Sequence, residues 1–159
     1  MKEINVKTSE ILAAYNVLNG AKFGSMDDAD KVKVWKVARA LKPVAIKFEE
    51  DNKDAAEKLK PEIEGGFDET LAKAQEYEAL VRENGDMTKS PIGAVEYNAF
   101  IEEFKKYNEL VGKAIEEFAN KEVKLSFEPL SEEAFGKLMT SNPDWKMAQV
   151  MLLDGIINE

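Results

Sequence analysis

VEYNAFIEEFKKYNELVGKAIEEFANKEVKLSFE, residues 95–128, decides the fold. Up to Ala119 its apolar residues recur at helical spacing. Tyr97, Phe100, Ile101, Phe104, Tyr107, Val111, Ala114, Ile115 and Phe118 form one broad, aromatic-rich face. Glu102/Lys106, Glu109/Lys113 and Glu117/Lys121 lie four residues apart on the other side, with the glutamate first, the orientation that supports a helix. At Glu122 the period changes to two. Val123, Leu125 and Phe127 alternate with polar neighbours, which predicts a strand over residues 122–128.

That strand needs a mate. The other segment with clean alternation is residues 2–7, where Ile4 and Val6 are in phase. Two strands alone are marginal in water, so the pair must lie on helices. The prediction is therefore a mainly α fold: a helical bundle with two long amphipathic helices and a small two-stranded sheet pairing the N-terminal strand with the strand near 122–128.

The remaining elements follow from caps and breakers. Thr8 or Ser9 offers a cap before a helix ended by Gly20. Asp27, Asp28 and Asp30 place negative charge at the start of a long helix from about Ala29. Val34, Val37, Ala38, Leu41, Val44, Ala45 and Phe48 share its apolar face. Pro43 falls opposite that stripe, which predicts a kink or break near Lys42 before the helix resumes towards Lys60. Phe67 to Asn84 reads as a shorter helix, Gly85 to Gly93 as a loop, and Ser131 as the start of a short helix. Asn142-Pro143 reads as a cap with proline at the first helical position, opening a helix through about Ile157.

The chain has 159 residues and a formal net charge of −9. Its 44% hydrophobic and 33% charged content describes a globular protein with one substantial core, and length favours a single domain over 1–159. Cysteine and histidine are both absent. That removes disulfides, thiolate or imidazole metal sites, thiol nucleophiles and every dyad or triad with a histidine base. No apolar run approaches the roughly 20 residues of a membrane span, and Met1-Lys2-Glu3 is not a secretory opening. An intracellular protein without membrane association is expected.

No glycine-rich phosphate loop occurs, because Gly65-Gly66 lacks the following Lys-Ser/Thr. Adjacent acids such as Glu49/Glu50 or Glu132/Glu133 point about 100° apart on a helix and sit on solvated faces. No catalytic, cofactor-binding or metal-ligating residue is assigned, no small-molecule substrate is identified, and the expectation is a protein that is not an enzyme.

Three features remain. Lys31, Lys33, Lys36, Arg39, Lys42 and Lys47 follow one another with no acid between them, and an acidic stretch succeeds them. The strip reads first as a solvated helix face. Its functional alternative is a nucleic-acid contact through Lys33, Lys36, Arg39 and Lys42, disfavoured by the acidic chain and by the presence of two arginines in all, Arg39 and Arg82. Trp35 lies about 120° from the centre of the apolar stripe, with Val32 beyond it. Either the C-terminal helix or the sheet covers this tryptophan, or it meets another chain. The C-terminal segment surrounds its axis with Trp145, Met147, Ala148, Val150, Met151, Leu152, Leu153, Ile156 and Ile157. It threads the core, or one flank docks on a partner. Val32, Trp35, Trp145, Met147 and Met151 are the candidate partner-contact residues, for a protein partner or for self-association.

ILAAYNVLNGAKF (11–23), VKVWKVARALKPV (32–44) and KEVKLSFEPLSEEAF (121–135) with MLLDGIINE (151–159) resemble an uncharacterised family of small helical proteins encoded among tailed-phage and prophage structural and morphogenesis genes. The likeness spans roughly 8–48 and 100–159, and rests on the Leu12-x-x-Tyr15-Asn16-x-Leu18 helix, the lysine-rich Val/Ala helix and the acidic-hydrophobic tail helix. Residues 61–94 depart from that plan as a candidate insertion. The resemblance implies a phage or prophage origin and a non-enzymatic role, such as a virion accessory or assembly component. It also implies a host-cell cytoplasmic location, with virion association as an extension of it. No catalytic residues come with it.

Overall fold

The computed structural model describes residues 1–158; Glu159, the end of the tail segment, lies outside them. In chain order the elements are β1 (Lys2–Lys7), α1 (Thr8–Asn19), α2 (Asp28–Lys58), α3 (Phe67–Arg82), a 3₁₀ turn (Met87–Lys89), α4 (Ala94–Asn120), β2 (Glu122–Phe127), α5 (Glu132–Ser141) and α6 (Met147–Ile157). The fold is mainly α with one small sheet, as expected. β1 and β2 pair antiparallel, with Ile4 opposite Leu125 and Val6 opposite Val123. Where length favours a single domain, the chain divides into two compact units. One holds Met1–Asp51 and the chain from Glu116 onward, the other Asn52–Ile115. The stretch 61–94 lies inside the second.

In the first unit, Val6, Leu125 and Phe127 of the sheet join Ile11, Ala14 and Leu18 of α1 and Val34, Val37 and Leu41 of α2 in one buried core. α5 adds Ala134, Phe135 and Leu138, and α6 adds Leu153, Ile156 and Ile157. Leu41, Leu138 and Leu153 are fully enclosed, so truncating any one to alanine costs about 2–5 kcal/mol. Thr8 does not cap α1. It is the helix's first residue, and its N–H and hydroxyl both donate to the Lys121 carbonyl, at 2.9 and 2.8 Å. Those two bonds fix α1 to the junction of α4 and β2.

Of the kink or break expected near Lys42, no break occurs: α2 is continuous through Pro43. The proline is exposed, and Leu41 and Ala45 are buried on either side of it in sequence. The one carbonyl that loses its ladder partner is that of Arg39, itself an exposed residue. α6 starts at Met147, not Pro143. Asn142 ends α5 instead, and the Gln149 side chain accepts the Lys146 N–H at 2.8 Å to open α6.

The second unit is built on aromatics. Phe67 packs against Phe100, Phe104 and Tyr107, with ring centroids 5.7, 6.2 and 4.9 Å away. The Tyr107 hydroxyl donates to the Ala56 carbonyl at 2.6 Å. The helical pairs expected on α4 do not close as spaced: Lys106 reaches Glu103 at 3.6 Å.

Candidate interaction surfaces

α2 buries one side and presents the other. Val34, Val37, Leu41 and Ala45 face the core. Advancing 100° per residue, the opposite face carries Val32, Trp35, Lys36, Arg39, Lys42, Pro43, Ile46 and Lys47, all exposed. Trp35 is 56% exposed and Val32 47%. Neither the sheet nor the C-terminal helix covers the tryptophan, so the intramolecular expectation for Trp35 is corrected. Its wheel position explains why: it lies well away from the stripe that anchors the helix. The Arg39 guanidinium sits 5.2 Å from the Trp35 ring centroid, a cation–π contact.

The basic strip divides into engaged and free members. Lys31 pairs with Asp28 at 3.2 Å, Lys33 with Glu128 at 3.4 Å and Lys47 with Asp51 at 2.7 Å. Among the described residues, no ion pair involves Lys36, Arg39 or Lys42. Of the four candidate nucleic-acid contacts, Lys33 is therefore occupied and three remain free.

The C-terminal helix is neither wholly buried nor wholly a surface. Leu153, Ile156 and Ile157 are in the core, while Met147 and Met151, one turn apart, are 70% and 68% exposed. Trp145 precedes α6 and packs half-buried against the core. Part of its ring is therefore engaged within the chain. Ile46, 44% exposed, joins the candidate contacts. Sequence reasoning passed over it, although its place eleven residues after Trp35 puts it within about 20° of that ring on the wheel.

Beside this face lies an open groove of about 690 Å³. Pro43, Val44, Phe48, Phe118 and Val123 supply its apolar lining and Lys47, Asp51, Lys121, Glu122 and Lys124 its charges. It assembles from residues far apart in sequence, so no local pattern announces it. Among the described residues, no group of three or more acidic side chains is placed to hold a metal ion, and no helix is long and apolar enough to cross a membrane.

Compared with protein-family models, curated proteins and solved structures, the chain matches none.

Proposed function

We propose that this is a non-enzymatic binding or structural protein that works through protein–protein contacts. The setting is the one implied by its resemblance to tailed-phage and prophage morphogenesis proteins: an assembly or virion accessory component in the host-cell cytoplasm. The observation that carries the contact reading is Trp35, held more than half exposed beside Val32 on a helix whose other side is anchored in the core. A large aromatic left in water gains most when another surface covers it. Met147 and Met151 offer a second, adaptable apolar flank.

The test is light scattering and sedimentation over a range of protein concentration, alone and with the products of neighbouring genes. A mass that rises with concentration, or a stable complex with a neighbour, is expected, and Trp35→Ala or Met151→Glu should weaken it. A chain that stays monomeric and unbound throughout overturns the reading.

A nucleic-acid role draws on Lys36, Arg39 and Lys42 beside Trp35. It predicts retention on DNA that fades steeply with salt. One stacking platform and one arginine at this face make it the weaker reading.

A further inference from the structure

We infer that the outer face of α2 is a seam for a single helix of another protein, one that places carboxylates opposite Arg39 and Lys42 and apolar side chains opposite the seam's two ends. This rests on the contact reading above and names its partner's chemistry.

Val32, Trp35, Arg39, Lys42 and Ile46 are spaced three, four, three and four residues apart. That alternation is the ridge a second helix packs along at a shallow crossing angle, because it keeps successive side chains on one line of an α-helix. All five are exposed, and the ridge runs about 21 Å, four turns. Seams of this spacing are usually apolar throughout. This one is apolar at its ends and cationic at its centre.

The central charges decide what fits. Arg39 and Lys42 have no ion-pair partner among the described residues, so a helix covering them without supplying an anion would desolvate two uncompensated charges. A second copy of α2 laid antiparallel meets the same obstacle: when Val32 faces Ile46, Arg39 faces Arg39. Like charges at the middle oppose a symmetric pair. A nucleic-acid strand answers the cations and leaves Val32 and Ile46 unmatched. An acidic amphipathic helix satisfies both ends and centre, and Arg39, seated over Trp35, is placed to donate to its carboxylate.

The experiment uses the whole protein and two fluorescently labelled helical peptides of three heptads. Each has leucine at the outer seam positions; one has glutamate and the other lysine at the central ones. Anisotropy should show the glutamate peptide binding, with affinity falling about tenfold or more between about 0.1 M and about 0.5 M salt. The lysine peptide should stay free. Arg39→Glu combined with Lys42→Glu should exchange the preference, and Arg39→Gln, the milder change, should weaken glutamate-peptide binding without exchange; circular dichroism confirms that each variant folds.

Equal binding of the two peptides overturns the inference. So does failure of the folded protein to bind the glutamate peptide, whether or not it binds oligothymidine, anionic vesicles or itself. A complex with a neighbouring gene product that the double variant leaves intact removes this seam and keeps the contact reading. Absence of any complex removes both.

Discussion

The side-chain amide of Asn142 brackets the backbone of Lys22: its Oδ1 accepts the Lys22 N–H at 2.7 Å and its Nδ2 donates to the Lys22 carbonyl at 2.9 Å. The same Nδ2 donates to the Leu138 carbonyl at 2.9 Å, and the residue is buried. One amide thus ties the loop after α1 to the end of α5.

Asn142→Ala leaves two backbone groups of Lys22 without their partner. We expect a loss of about 2–3 kcal/mol in chemical denaturation. Asn142→Asp keeps the shape and removes the donor, setting a carboxylate against two carbonyls. It should destabilise at least as much at neutral pH, with part of the loss recovered in mild acid. A change under about 0.5 kcal/mol for either variant would show that water replaces the bracket.

Tyr97 donates its hydroxyl to Glu78 at 2.6 Å and stacks on Tyr77, ring centroids 4.3 Å apart. Donation to the carboxylate, then burial, pushes the phenol up to about 12 from its ordinary 10.0. The fold therefore favours the protonated form. The stabilisation is complete below pH 10 and is lost as pH rises through about 12. In a tyrosinate absorbance titration, Tyr97 should give a phase at about 12. Glu78→Gln should bring that phase down, and Tyr97→Phe should delete it. A titration that Tyr97→Phe leaves unchanged at about 12 would contradict the geometry.

Much of the architecture was legible because it is periodic. Both strands and their pairing follow from two alternating segments, and α4 from its aromatic stripe, to within a residue at either end. The start of α6 was not legible. Asn142-Pro143 has the local look of a helix opening, but the asparagine's amide is claimed by Lys22, 120 positions away, and a cap cannot serve two masters. The exposed flank of α6 was hidden for another reason: a helix apolar all round has no face that the sequence marks for water. Trp35 was half legible. Its wheel angle put it off the core stripe, and whether something covered it depended on elements that angle does not place.

The two tryptophans should separate on mutation. Trp35→Ala removes an exposed ring touched by one arginine, and unfolding free energy should stay within about 0.5 kcal/mol of the parent. Trp145→Ala removes a ring packed on the core and should cost about 2–3 kcal/mol. Equal losses would mean that Trp35 has packing within its own chain, and the contact surface would then have to be sought on α6.

Pro43 is the odd residue of α2, a proline midway along a 31-residue helix. It lacks the N–H that would bond the Arg39 carbonyl, and its ring crowds the preceding turn. Pro43→Ala restores that bond at an exposed position on the rim of the groove. The freer unfolded chain offsets part of the gain, so we expect a net stabilisation of about 1–2 kcal/mol and a higher Tm. A fall in Tm would reverse the interpretation. It would mean that the ring's place beside Val44 at the groove wall is worth more than a helix bond.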